Sequence, residues 1–135
     1  MSDQPEISRV ILDTNAFLFF INNDRALGSK AKELLESDAD LLISCVSLWE
    51  ISIKISIGKL TLPEPFASFI PSQIDQNEIE ILPLTLPYLD RVSSLPFHHK
   101  DPFDRLIIAQ ALVEQLSVAT SDAKFDSYGV ERIWD

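Results

Sequence analysis

The chain is poor in the features that brace or export small proteins. It has a single cysteine, Cys45, so no disulfide can form within it, and a chain without disulfides suits a reducing compartment. Cys45 lies in the apolar run 41–46 and reads as a small core residue rather than a redox group. No apolar stretch approaches the roughly 18 residues needed to span a bilayer. The polar start over residues 1–9, with Asp3 and Glu6, lacks the basic and apolar regions of a secretory signal. A soluble, cytoplasmic protein with no membrane partner is expected on these grounds. Positive charge is scarce as well: 11 Lys and Arg face 21 Asp and Glu, a formal net charge of −10. Nucleic-acid binders usually present a basic face, because phosphate neutralisation dominates their affinity. Composition therefore points away from nucleic acid, unless metal ions reverse the local field or a basic partner covers the surface. Repeats, low-complexity segments and linkers are missing too, so residues 1–135 read as one domain around one core.

What the chain does have is 46% hydrophobic residues, arranged as short apolar runs alternating with helical patterns. Strands are expected over residues 7–12, 41–45, 78–82, 118–120 and 130–134. Helices are expected over residues 16–21, 29–36 with Ser29 as N-cap, 66–74 with Pro71 as a kink or break, 88–95, and 103–116 with an amphipathic pattern. Residues 47–58 carry two signals. Trp49, Ile51, Ile53, Ile55 and Ile57 alternate with polar residues, the period of a half-buried strand. Ser47 and Glu50, by contrast, have the form of a capping box, and Gly58 could end a helix begun there. The alternation of elements implies an α/β fold, a mostly parallel sheet of about four to five strands flanked by helices.

Ligands of open α/β sheets bind beyond the carboxyl ends of the strands, and acids fall at those places. Asp13 ends the first strand, Glu50 follows the second, Asp104 opens the long helix, and Asp122 follows the strand at 118–120. Each has a plain alternative. Asp13 could cap a helix, Glu50 could complete the capping box, and Asp122 could open a turn. Asp101, Pro102 and Asp104 make a good helix start without any chemistry. The coincidence of four acids on one side is the argument for a site. Two carboxylates about 4 Å apart repel by several kcal/mol at an effective dielectric of about 20, and Mg²⁺ or Mn²⁺ would relieve that repulsion through oxygen ligands. Zinc is not indicated, since His98 and His99 are adjacent and have no cysteine pair beside them. A metal held this way suits hydrolysis of a phosphate ester.

The segments Leu12-Asp13-Thr14-Asn15, Ser47-Leu48-Trp49-Glu50, His99-Lys100-Asp101-Pro102-Phe103-Asp104-Arg105 and Thr120-Ser121-Asp122 resemble successive motifs of PIN domains. They are most similar to those of the VapC-like toxins of toxin–antitoxin modules. The resemblance runs from about residue 10 to residue 134, and Asp101 to Ala111 is its most specific piece. It implies a PIN-like three-layer fold, with a helix around Glu50, and a Mg²⁺- or Mn²⁺-dependent endoribonuclease. It maps the catalytic acids onto Asp13, Glu50, Asp104 and Asp122, with Asp13, Asp104 and Asp122 as metal ligands. Asn15 and Ser121 match positions that support acids or water by hydrogen bonds. A homodimer, an RNA substrate and a VapB-like antitoxin whose tail enters the groove are further implications.

Other residues keep two readings. His98, His99, Lys100 and Arg105 either contact substrate phosphates or form a solvated loop. Asp101 is either a helix cap or a supporting carboxylate, and Asp126 an auxiliary acid or a surface residue. Trp49 and Trp134 pack in the core or a dimer contact, or offer a platform for bases. Two further functions stand beside the ribonuclease. A phosphatase of the haloacid-dehalogenase type would use Asp13 as nucleophile, but it usually has a second Asp where this chain has Asn15. A docking module with the same fold would be expected to lack one or more acids, and all four are present.

Overall fold

The computed structural model describes residues 7–135, so the polar start at 1–6 lies outside the described residues. The elements are β1 (Arg9–Leu12), α1 (Thr14–Ile21), α2 (Ser29–Leu35), β2 (Asp40–Ser44), α3 (Cys45–Ser56), α4 (Phe66–Gln76), β3 (Glu80–Leu82), α5 (Leu86–Ser93), α6 (Pro102–Glu114), β4 (Ser117–Ala119), a short 3₁₀ helix (Ala123–Tyr128) and β5 (Arg132–Ile133). The five strands form one sheet in the order β3-β2-β1-β4-β5, and all four pairings are parallel. No helix among the described residues is long and apolar enough to cross a membrane.

Alternation along each strand divides the core between the two faces of the sheet. Val10, Leu12, Leu41 and Ile43 pack on one side with Phe17, Ala31, Leu35, Ile51 and Ile70 from α1 to α4. Ile11, Leu42 and Val118 pack on the other with Tyr88 of α5, Ile107 and Ile108 of α6 and Phe125 of the 3₁₀ helix. Strands buried on both faces must be apolar throughout, which is why they read as continuous runs. The expected α/β architecture of helices on both faces of a parallel sheet is the one found.

Local differences from the sequence reading have identifiable causes. Residues 45–56 are helical despite the alternating isoleucines: Ile51 is buried and Ile55 partly so, while Ile57 is exposed beyond the helix end. The hydroxyls of Ser52 and Ser56 donate to the carbonyls of Leu48 and Ile53, so the polar half of the pattern is absorbed inside the helix. The N-cap is Ser44, whose Oγ accepts from the Val46 amide at 3.2 Å, not Ser47. Ser29 is not the cap of α2 either. Gly28 holds that place, and the C-terminal segment supplies acceptors instead, the Trp134 carbonyl to Ala31 N–H at 2.9 Å and the Asp135 carboxylate to Ser29 N–H at 3.2 Å. Pro71 does not end α4, which continues to Gln76. Pro71 lacks only the amide that would bond to Ala67 O, and Ala67 is exposed to water. Finally, α6 is not amphipathic: residues 105–111 are all buried, because α5 and α3 cover the flanks that the sheet does not. A helix enclosed on every side is mostly apolar around its circumference; the two polar residues here, Arg105 and Gln110, donate to the carbonyls of Pro96 and Pro83.

Gly28 has no space for a side chain, since a Cβ there would fall 2.7 Å from the carbonyl carbon of Trp134 and 2.8 Å from its Cδ1. Gly28→Ala should push the C-terminal segment off α2 and destabilise the protein by about 1–3 kcal/mol, the usual cost of overpacking, read as a lower urea midpoint.

Candidate active site

Register decides where the acids meet. Leu12 pairs with Ile43 on one side and Ala119 on the other, so β1, β2 and β4 end level with one another. The next residues, Asp13, Ser44 and Thr120, are all buried at that edge. Chain order turns in opposite directions on the two sides of β1, and such a switch point leaves a crevice at the carboxyl ends of the strands.

Asp13, Asp122 and Asp101 each open a turn at this edge that they also cap. Asp13 Oδ1 accepts from the Ala16 amide at 2.8 Å and starts α1. Asp122 Oδ1 accepts from Lys124 N–H at 3.0 Å and starts the 3₁₀ helix. Asp101 Oδ1 accepts from Phe103 and Asp104 N–H at 2.8 and 3.1 Å, starts α6, and leaves Asp104 in its first turn. The capping readings are therefore correct for Asp13, Asp101 and Asp122, and they coexist with the convergence.

Asp104, Asp122 and His99 come closest together: one ligand atom from each lies within 4.8 Å of the others. His99 Nε2 is 2.7 Å from Asp122 Oδ2 and 3.0 Å from Asp104 Oδ2. Asp13 and Glu50 are not among these three, but lie near enough for their charges to act on Asp104. The Thr14 hydroxyl donates to Glu50 Oε1 at 2.6 Å and touches Ser47 Oγ at 3.0 Å, while Lys54 Nζ is 3.4 Å from Glu50 Oε2.

The electrostatics record this crowding. Burial pushes the Asp13 carboxyl above the ordinary range, against hydrogen bonds from Thr120 and Ala16, and the charges of Glu50 and Asp122 add to the rise. Burial and then the Asp101 charge push Asp104 up to about 7; His99 opposes this, and Asp13 and Glu50 add to it. Asp122 goes the other way. Burial alone would raise it, but the Lys124 amide, the His99 hydrogen bond and the nearby Lys124 ammonium together hold it below the ordinary range. The donor set of Asp13, Asp104 and Asp122 is all carboxylate oxygen. Two of the three resist ionisation without a counter-charge, so these residues fit a hard divalent cation.

The supporting residues differ from those expected. Asn15 and Ser121 are exposed, and neither bonds to an acid among the described residues. Thr14 and Thr120 take that part. Thr120 Oγ1 accepts from Asp122 N–H at 3.0 Å and its hydroxyl bonds to Asp13. Both threonines adjoin the motif positions, but only the direction of the turn tells which neighbour faces inward. Arg105 is also corrected. It is not a phosphate contact: its guanidinium is buried and donates to the carbonyls of Pro96, Leu95, Val92 and His99. His99 is neither a free loop residue nor a phosphate contact, being buried against Asp104 and Asp122. His98 and Lys100 remain exposed beside the site. Asp126 pairs with Arg132 at 3.0 Å on the exposed side and is not an auxiliary acid. Trp49 is 61% exposed, its ring edge-on to Phe103, whereas Trp134 packs on Phe19.

The sequence model of the PIN domain family matches residues 10–131. The chain belongs to the PIN domain family. Ribonuclease VapC16 of Mycobacterium tuberculosis is 47% identical over 34 residues, a stretch covering 25% of this chain and 24% of that protein. Among solved structures, the chain is similar to VapBC2 from Rickettsia felis bound to a DNA fragment from their promoter. There the TM-score is 0.70 and the identity 20%, over 94% of this chain and 99% of that one. FitAcB from Neisseria gonorrhoeae is similar at a TM-score of 0.64 and 19% identity, over 91% of this chain and 95% of that one. At such identities the likeness is one of fold. Membership in the PIN family sets aside the phosphatase alternative.

In this PIN domain the unfolded chain ionises Asp104 near the ordinary 3.8, whereas the folded, metal-free chain keeps that proton to about 7. Between about pH 4 and about pH 7 the folded state binds more protons, so stability should fall as pH rises through that window. Asp13, shifted in the same direction, adds to the slope. Urea melts in chelator at about pH 5 and about pH 8 should show the loss, and Asp104→Asn should flatten it. Arg105→Leu leaves the loop carbonyls without their donor and should cost about 1–3 kcal/mol. Arg105→Lys should recover little, because one ammonium cannot span carbonyls that a planar fork reaches together.

Proposed function

We propose that this PIN domain is a divalent-metal-dependent endoribonuclease, the toxin half of a toxin–antitoxin pair. The observation that carries the reading is the convergence of Asp104 and Asp122, with Asp13 near enough to interact with both by charge and burial holding Asp13 and Asp104 above the ordinary carboxylate range. In this reading those three carboxylates hold Mg²⁺ or Mn²⁺. A bound cation would supply charge stabilisation to a phosphate and a more acidic water. Glu50 is held by Thr14 and Lys54, and its carboxylate would be the group to accept a proton from an attacking water. Lys100 and Lys124 are exposed beside the acids, next to the exposed His98, which gives local positive charge for RNA phosphates on an otherwise acidic surface.

Residues 1–135 act as a single domain in this reading, in the cytoplasm and as a homodimer. A VapB-like antitoxin contributes basic residues to the acidic surface. The ribonuclease name of the short relative and the toxin–antitoxin assemblies among the structural neighbours support the assignment.

The test is cleavage of a mixed RNA pool by purified protein freed of antitoxin, with Mg²⁺ or Mn²⁺ and with chelator. Cutting should require the metal. Asp13→Asn and Asp104→Asn should each lower it beyond the 10–100-fold that loss of a supporting residue costs. Protein that binds neither cation, or cuts equally well in chelator, would contradict the reading. Cation binding without cutting would favour a docking module.

A further inference from the structure

The distances alone describe His99, Asp104 and Asp122 as a mixed nitrogen–oxygen metal site. The surroundings of the imidazole give it a different role. The loop from α5 to α6 is clamped by two side chains that touch none of the acids. The Tyr128 hydroxyl donates to the Pro96 carbonyl at 2.8 Å and accepts the amides of His98 and His99 at 3.0 and 2.9 Å. The buried Arg105 guanidinium donates to the carbonyls of Pro96 at 2.9 Å and His99 at 3.4 Å, with the Phe97 ring stacked 4.1 Å away. Backbone on both sides of the imidazole is therefore fixed, and the Phe125 ring meets it edge-on at 6.0 Å.

Within this frame His99 Nδ1 accepts the Asp101 amide at 3.1 Å. A ring nitrogen that accepts from an amide carries no proton, so the proton of the neutral imidazole sits on Nε2. Nε2 then faces Asp122 Oδ2 at 2.7 Å and Asp104 Oδ2 at 3.0 Å. A protonated nitrogen has no lone pair for a metal. To become a ligand, Nε2 would have to pass its proton to Nδ1, where it would meet the Asp101 N–H head-on.

We propose that His99 is a positioning residue: its Nε2–H, donated to Asp122 Oδ2 with Asp104 Oδ2 held 3.0 Å from the same nitrogen, sets the spacing of these carboxylates for a cation, and the ring is not itself a ligand. The proposal rests on reading the acids as a metal site. It assigns Arg105 and Tyr128 the task of holding His99, and it leaves the site all-oxygen. It also gives Asp101 a second use, since the residue that caps α6 through its carboxylate fixes the tautomer through its amide.

Two measurements on the full chain test it. The first is long-range ¹H–¹⁵N correlation of the histidine rings, with His98→Ala to assign the two residues. His99 should show a proton on Nε2 and none on Nδ1, both without metal and with saturating Mg²⁺. Loss of the Nε2 proton on adding Mg²⁺ would make His99 a ligand and overturn the proposal. The second is Mn²⁺ binding by calorimetry to wild type, His99→Ala and His99→Gln. His99→Ala should bind about 10–100-fold more weakly, as losing a residue that orients ligands does. His99→Gln, whose amide N–H reaches toward the same place, should recover most of the affinity. Wild-type affinity in His99→Ala would overturn the positioning role alone, whereas wild type that binds no Mn²⁺ would overturn the metal site and this role together. Should His99→Ala not fold, the tautomer measurement on wild-type protein still decides between donor and ligand.

Discussion

Level strand ends are the constraint on which the rest of the molecule depends. Parallel pairing places Leu12 beside Ile43 and Ala119, and from that alignment the residues that follow emerge at one edge. Because successive strands run the same way, each must return through a helix or a long crossover. Helix starts therefore gather where the strands end. An acid at a strand end is thus also an acid at a helix start, and the same few residues serve as caps and as site.

This double use explains how the crowding is tolerated. Asp13, Asp101 and Asp122 each accept backbone N–H groups from the turn they open, and such donors stabilise the charged form. Asp104 has no comparable bond of its own. It lies in the first turn of α6, loses water, and faces the charges of Asp101, Asp13 and Glu50. Its carboxyl is therefore raised with only His99 opposing the rise, and a cation would lower it again. The caps contribute to folding with or without a metal, whereas the remaining repulsion is a cost that the fold carries for the site.

The second organising feature is the loop between α5 and α6. Its carbonyls would be left unpaired against the buried start of α6 without Arg105, and its amides without Tyr128. Arg105 lies one residue beyond Asp104, and Tyr128 lies in the 3₁₀ helix that Asp122 opens. The elements that carry the two closest carboxylates also carry the clamp between them, so a shift of α6 or of the 3₁₀ helix moves acid and clamp together. The net charge of −10 thus says little about the crevice, where arrangement outweighs composition.

Local pattern alone determined a good deal here. Continuous apolar runs marked strands buried on both faces, and acids at strand ends and helix starts marked the edge where those acids gather, because burial and capping leave their signature within a few residues. What tertiary structure decided concerns contacts between distant segments. The acceptors for the first turn of α2 come from Trp134 and Asp135, which no window around Ser29 contains. The helix at 45–56 overrides a strand-like period because the sheet and its neighbours bury Ile51 and leave Ile57 outside. Thr14 and Thr120, rather than Asn15 and Ser121, support the acids because the turns after β1 and β4 point those side chains inward. Arg105 and His99 read as basic residues in a loop, and their roles appear only when α6 is enclosed and Asp122 is brought across from β4. Spacing along the chain encodes which residues share a face, but which faces meet is set by packing, and the site lies where they meet.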